Sequence, residues 1–546
     1  MRARDRAGSR RDALGSPRRA CLVPALALLC ALAAPPLAIA QYPAAEAYVA
    51  KTTVSPTSSD RTYGAAVAAD DGRVATLYGL GSVEVTRFAS ADATSADATV
   101  ATLELDHEDV SATDLEDVVG ASPRVLAMRD GVVVLGAPGR DGGTGGARVW
   151  RLDTSDTRAN ENTWTAVNPT DLSSSDGVKN DMGVAVATAG GAVVVLGAPS
   201  DDSKKGAVYV FVDGDGDSSF DTPPRKILAP SPVKGDRFGS AVEVSHGVGG
   251  PGNGWLVVAA PGADDGEGAV FCYARVDLSA PSSFGYAYVH KLSSASATYD
   301  GVVLDSGFGA SLSLTGRFLL VTRAAAYGRV GFGVSKGDAS VFLLARSTAA
   351  KFSLNASSAD VNAVVATDEG RWTLDAVLVP EDTPSGEPAE TSNGAGSING
   401  ETVSLGVVSR ASENGLGGSV SSFRRVADAT TGDLKWTFQS RQTSADVTGV
   451  SGSVTGFGRA VAVDDGAVVV TSAGALNATD AAEDFHEGAG AVTRFRKNDP
   501  SPSPPPPPSP SPPSPPPPSP PPTPSPPPSP PPLPSPPPPP PPSPPP

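Results

Sequence analysis

Cysteine is almost missing from this chain. Of its 546 residues three are cysteines, and two of them, Cys21 and Cys30, fall within the first 40. A mature chain without that stretch keeps Cys272 alone, which excludes an internal disulfide framework. Cys272 alternates with Phe271 and Tyr273, so a packed thiol inside a strand is expected rather than a nucleophile or an intermolecular link. Histidine is also scarce. His107, His246, His290 and His486 stand at unrelated positions, and none belongs to a zinc-spacing motif. No Gly-x-Ser-x-Gly elbow, phosphate loop or dinucleotide fingerprint is present, so the chain is expected not to be an enzyme. Basic residues are outnumbered 42 to 59, giving a formal charge of −17, which argues against a nucleic-acid partner. It fits solubility, cation binding or a basic partner.

Long apolar runs are missing too, apart from Cys21 to Ala34. That run falls short of the ~20 residues a spanning helix needs. It follows seven arginines and precedes Ala38-Ile39-Ala40, the order of a secretory signal peptide, residues 1–40, with a small-x-small cleavage site. With no other candidate span, the mature chain is expected outside the cell, in matrix or wall. Loss of the leader, with its seven Arg and two Asp, takes the formal charge to −22.

Residues 500–546 are almost wholly Pro and Ser. Proline's fixed φ favours an extended polyproline II rod there, on the order of 140 Å long at ~3.1 Å per residue. The Ser-Pro(n) blocks, such as Ser503 followed by five Pro and Ser535 followed by seven, resemble the modules of extensins and other hydroxyproline-rich wall glycoproteins. That resemblance implies hydroxylation and glycosylation of the tail. A plain spacer is the alternative.

From 41 to 499 the chain turns to Ala, Gly, Val, Ser and Asp, with short apolar runs between Gly- and Asp-rich turns, which is strand-and-turn grammar. Seven strands of one pattern recur: Val85-Thr-Arg-Phe88, Val149-Trp-Arg-Leu152, Val208-Tyr-Val-Phe211, Val270-Phe-Cys-Tyr273, Val341-Phe-Leu-Leu344, Val420-Ser-Ser-Phe423 and Val492-Thr-Arg-Phe495. Their starts lie 64, 59, 62, 71, 79 and 72 residues apart. A unit of that length holds four short strands and must stack on neighbours to bury both faces. The spacing is too short for tandem sandwiches of ~100 residues each. The fold class expected is therefore all-β, a seven-bladed β-propeller of four-stranded blades. Ala47 to Val54 can supply an outer strand to the last blade and so close the ring. Val132 to Leu135, Val193 to Leu196, Leu256 to Ala259 and Val468 to Val470 read as strands covered on both faces.

In the clearest copies two further signals precede the closing strand. Phe238-Gly239 is followed by Ala259-Ala260-Pro261 and Gly268-Ala269-Val270, and Met182-Gly183 by Gly197-Ala198-Pro199 and Gly206-Ala207-Val208. Tyr63-Gly64, Phe308-Gly309 and Phe457-Gly458 open three more copies, the second keeps Gly136-Ala137-Pro138, and the sixth, near 361 to 426, keeps little beyond Gly418-Ser419-Val420. The set resembles the FG-GAP repeats of integrin α-subunit propellers. That resemblance implies an extracellular ligand-binding head.

The family often carries an acidic calcium loop between the first two motif strands. Here that place holds tight turns, Asp70-Asp71-Gly72, Asp130-Gly131, Gly190-Gly191 and Asp464-Asp465-Gly466, which suit hairpins with positive φ and not an ion cage. A different connection has the needed spacing. Asp213, Asp215, Asp217, Ser219 (through its carbonyl) and Asp221 occupy positions 1, 3, 5, 7 and 9 of a run whose alternate oxygens can converge on calcium. Ser218 and Pro224 stand where a complete loop prefers Gly and Glu, and a polar hairpin loop is the alternative.

Loops joining strands 2 and 3 share one propeller face, and several are acidic: Asp141, then Asp201 and Asp202, then Asp264, Asp265 and Glu267, then Asp480, Glu483, Asp484 and Glu487. Loops on a rigid scaffold are a common seat of recognition, with plain solubility as the alternative. Asn355-Ala-Ser357 and Asn477-Ala-Thr479 are N-glycosylation sequons. The whole reads as a secreted glycoprotein whose head binds an extracellular protein or a wall polysaccharide or glycoprotein. Two alternatives stand beside it: a propeller-borne polysaccharide hydrolase or lyase using channel carboxylates, and a purely structural wall protein.

Overall fold

The fold is described from a computed structural model. Its described residues run from 48 to 497, interrupted at 55–62, 79–80, 88–97, 106–123, 154–162, 175–176, 214–218, 221–222, 246–253, 278–283, 294–306, 324–338, 345–371, 379–394, 408–417, 429, 448–453, 465–466 and 476–489. The leader, the proline-rich tail and both sequons lie outside them.

Seven four-stranded antiparallel sheets follow one another along the chain. Blade 1 holds Val67–Asp70, Arg73–Tyr78, Ser82–Arg87 and Ala98–Glu104. Blade 2 holds Leu126–Arg129, Val132–Gly136, Ala147–Leu152 and Trp164–Leu172. Blade 3 holds Ala185–Thr188, Val193–Ala198, Ala207–Val212 and Arg225–Ile227. Blade 4 holds Ala241–Ser245, Trp255–Ala260, Ala269–Asp277 and Phe284–Ser293. Blade 5 holds Phe308–Thr315, Phe318–Arg323, Ala339–Leu344 and Trp372–Leu378. Blade 6 holds Gly396–Asn399, Thr402–Val407, Ser419–Ala427 and Leu434–Thr443. Blade 7 takes Val454–Asp464, Ala467–Ala475 and Ala491–Lys497 from the C-terminal side.

Blade 7 is completed by Tyr48–Val54, which pairs antiparallel with Ala491–Lys497. The first and last strands of the repeat region thus share one sheet, as the sequence led us to expect. First strands of consecutive blades touch all the way round, the seventh against the first. The array is a closed β-propeller, and closure leaves it no open end to pair with another chain.

All seven recurrent strands are the third strands of their blades. Blade 6 is a complete blade, and here the sequence reading needs correction. It begins at Gly396 rather than near 361, because the fourth strand of blade 5, Trp372–Leu378, follows a long insertion.

The core is divided among the blade interfaces. Seven apolar clusters each join two neighbouring blades. Second strands sit in the middle of this packing, and Val193–Ala198 and Trp255–Ala260 are buried along their whole length. They are continuous apolar runs because both faces are covered. Cys272 is fully buried in the interface of blades 4 and 5, and burial pushes its thiol well above the ordinary range.

The recurrent motif residues latch one blade to the next. Gly206, before the third strand of blade 3, bridges Phe238, the aromatic of the following Phe-Gly, and Gly145 bridges Met182 in the same way. A β-carbon on Gly206 would collide with the carbonyl oxygen of Phe238, and one on Gly268 with that of Phe308. The Phe238 ring is buried and meets Phe271 edge to face at 5.5 Å between centroids. Phe-Gly and Gly-Ala are therefore two halves of one inter-blade contact.

Candidate functional site

Two places bring chemistry-bearing side chains together: the central channel, and the face where strand 2–3 loops and inter-blade connections emerge. The channel cavity is about 200 Å³ and is lined by the first strands of all seven blades. An innermost strand is an edge, so its channel-side amides and carbonyls need partners from outside its own sheet. Side chains of neighbouring blades supply them. Ser313 Oγ accepts from the Ile398 amide (3.1 Å) and Ser397 Oγ from Val463 (3.0 Å), and the hairpin turns that end the first strands are tied in the same way, Asp464 Oδ2 accepting from the Gly72 amide (2.8 Å) and Asp70 Oδ2 from Asp130 (2.6 Å). Arg124 Nη1 donates to the Ser240 carbonyl at 2.7 Å. Arg129 reaches from blade 2 past blade 3 to the carbonyls of Val244 (3.0 Å) and Leu314 (3.3 Å).

These groups feel the enclosure. Burial pushes the Glu243 carboxyl up to about 7 against the opposing charge of Arg129, and lowers the Arg124 guanidinium to about 10. Asp70 is raised, first by burial and then by the like charges of Asp130 and Asp464, although the Asp130 amide opposes the rise. Glu243 can thus exchange a proton near neutrality inside the channel, and no sequence motif marks it. The hairpin turns at the channel's end have the backbone expected of them, with Asp71 at φ 50, Gly72 at 71, Asp130 at 49 and Gly131 at 71.

On the loop face, three neighbouring blades repeat one turn: Arg140–Gly143, Asp201–Lys204 and Asp264–Gly266. Each contains consecutive left-handed residues, among them Asp141 (φ 51), Asp202 (φ 40) and Asp265 (φ 59); Asp tolerates this region better than most residues do. In each turn the first residue is tied to an opposite charge on strand 4 of its own blade. Arg140 pairs with Asp171 at 2.8 Å, Asp201 with Lys226 at 2.7 Å and Asp264 with Lys291 at 2.9 Å. The sign is reversed in blade 2, but the anchor is the same. At Asp171 burial pushes the carboxyl up, and hydrogen bonds from Arg148 and Arg140 outweigh it to hold it below its usual value.

The acidic loop residues therefore separate into two groups. Asp201 is buried, and its Oδ2 also accepts from Asn180 Nδ2 (3.1 Å) and the Tyr209 hydroxyl (3.2 Å). It holds the loop, whereas Asp264 meets Lys291 at the exposed surface. Asp202 is exposed and bonded to Lys205 at 2.8 Å. Asp141, Asp265 and Glu267 are exposed, with Asp141 3.8 Å from Arg140 Nε. Asp480, Glu483, Asp484 and Glu487 lie outside the described residues. So do Asp215, Asp217 and Asp221 of the calcium loop; its Asp213 is half-buried with its side chain covered, 3.7 Å from Arg151 Nη2, and Ser219 is half-buried. Among the described residues no group of three or more His, Cys, Asp or Glu is placed to hold a metal, and no helix is long and apolar enough to cross a membrane.

No family model matches the chain, and no curated protein does. Among solved structures it is similar to Kluyvelomyces marxianus Hsv2, at 9% identity and TM-score 0.33 over 68% of this chain and 82% of that one. It is also similar to a putative 6-phosphogluconolactonase from Bacteroides uniformis, at 13% identity and TM-score 0.34 over 70% of this chain and 88% of that one.

Proposed function

We propose that this chain is a secreted recognition protein, an FG-GAP-like propeller head that binds an extracellular protein or glycan and is displayed on a glycosylated proline-rich stalk in matrix or wall. One observation carries the reading. Three adjacent blades hold the same turn on one face, each fixed at its first residue by an ion pair, with the following residues left to solvent. Rigid loops of this kind reduce the ordering cost of binding. The full chain, immobilised and exposed to a solubilised matrix extract, should retain specific material. Repeating the experiment with a chelator tests the proposed calcium requirement of Asp213, Asp215, Asp217, Ser219 and Asp221. Retention no greater than on an unrelated propeller would refute the recognition reading.

A second reading, cleavage of a polysaccharide by hydrolysis or elimination, is favoured by Glu243, whose carboxyl is poised near neutrality in the channel. A general acid or base of that pKa suits chemistry at pH 7. It predicts release of reducing ends from wall polysaccharide, abolished in Glu243→Gln.

A further inference from the structure

The loop face has a second chemistry around blade 3, on the connections that carry the chain from one blade to the next. Gly177-Val178-Lys179-Asn180-Asp181 precedes blade 3, and Pro232-Val233-Lys234-Gly235-Asp236-Arg237 precedes blade 4. Both present an adjacent Val-Lys pair shortly before a latch, Val178 four residues ahead of Met182-Gly183 and Val233 five ahead of Phe238-Gly239. Backbone bonds join these connections to the neighbouring turns. The Asn180 and Asp181 amides donate to Gly143 O at 3.0 Å, and the Gly235 and Arg237 amides to Lys204 O at 3.0 and 2.9 Å.

Apolar exposure concentrates here. Four large apolar side chains are conspicuously exposed among the described residues, and three flank blade 3 on this face: Val178 (41%), Leu228 (46%) and Val233 (62%). Lys179, Lys204, Lys234 and Arg237 stand beside them, all exposed and making no ion pair within the described chain. Three carboxylates beside the patch have partners of their own, Asp202 in an ion pair with Lys205, Asp181 bonded by the Ser200 hydroxyl and Asp236 by the Val233 amide. On a chain of net charge −17, this sector offers cations and aliphatic surface side by side.

We propose that this patch binds an acidic polysaccharide, a polymer of uronate units, with the lysines and Arg237 on its carboxylates and Val178 and Val233 under the C–H faces of its rings. The same Val-Lys pair offered twice, one blade apart, suits a ligand that repeats one unit. Exposed lysines on flexible stems suit diffuse charge along a polymer, whereas a folded protein partner usually leaves lysine out of its contact surface. The inference rests on the recognition reading and names its partner.

The test uses the full-length chain with polygalacturonate as the probe, and with dextran and polyglutamate as neutral and polypeptide comparisons. Polygalacturonate should be retained above both, with affinity falling steeply as salt rises. Charge reversal at Lys179, Lys204 and Lys234 (K179E/K204E/K234E) should weaken binding by about tenfold or more while the circular dichroism spectrum is kept. Lys435→Glu, on the exposed start of the fourth strand of blade 6, should leave it unchanged. Retention no better than dextran's, or undiminished in the triple variant, overturns the proposal. Tighter retention of polyglutamate, lost on Val178→Ser/Val233→Ser, overturns it in favour of an acidic polypeptide. If the probe fails while matrix material is still retained, the recognition reading stands and this inference alone falls.

Discussion

At Gly206 a neighbour's carbonyl occupies the space a β-carbon would need, and φ is +86°. At Gly266 φ is similar, +91°, but nothing lies within 4 Å of that position. The pair separates backbone strain from collision. Gly266→Ala should cost about 1 kcal/mol, the left-handed penalty alone. Gly206→Ala should cost about 3 kcal/mol or more, because the Phe238 latch must also move. Urea unfolding of the two variants measures the difference; equal losses would mean that the latch is not tightly packed. Glu243 offers a second test at this scale. Its folded pKa of about 7 lies above the unfolded value of 4.5, so the folded state binds more protons between those limits. Stability should fall as pH rises from about 4.5 to about 7 and level off above. Replacement by Gln should remove that part of the slope, seen as a change with pH in the midpoint difference between the two proteins.

Single strands and turns explain what the sequence made legible. The seven closing strands were readable because each sets a large apolar residue three positions after Val, and before four of them Gly145, Gly206, Gly268 and Gly490 lie against the backbone of the next blade's Met-Gly, Phe-Gly or Tyr-Gly. The start of blade 6 was not readable. By its pairing with Leu405, Gly396 stands where blade 3 has Val186, and three to four residues earlier, where blade 3 carries Met182-Gly183, the sequence has Ser392-Asn393, neither an aromatic nor a glycine. The loop anchors were hidden for another reason. Asp201 and Lys226 lie 25 residues apart and meet only because strands 3 and 4 pair, so Asp201 and the exposed Asp202 look alike in sequence. They should differ on mutation. Asp201→Ala removes a buried acceptor shared by Asn180, Tyr209 and Lys226 and should cost about 2 kcal/mol, because Asn180 still has the Tyr209 hydroxyl and Lys226 reaches solvent. Asp202→Ala should change stability by less than about 0.5 kcal/mol, since its ion pair is exposed. Thermal unfolding of both variants checks the contrast.

Ring closure is a property of the whole molecule. Tyr48–Val54 ties the start of the propeller to its end, so each apolar cluster between blades is supported from both sides. A chain lacking residues 41–54 should lose cooperativity and unfold in more than one step, with blade 7 opening first; calorimetry showing one unchanged transition would mean that the strand is dispensable. Closure also concentrates polar groups in two places, and only at one could residues be named from sequence. The loop-face residues could be anticipated from the order of strands. Channel carboxylates could be anticipated as a class but not as residues, because Arg124, Arg129 and Glu243 come from blades 2 and 4 and no spacing along the chain records a meeting across a ring.

On the function proposed above, recognition takes place on the loop face. Hydrogen-exchange footprinting of the full-length chain, with and without retained matrix material, tests it directly. Protection is predicted in the turns Arg140–Gly143, Asp201–Lys204 and Asp264–Gly266 and in the connections 177–181 and 228–237. Protection confined to the channel-lining first strands, with the loop face unchanged, would refute recognition on the loop face and move the site to Glu243.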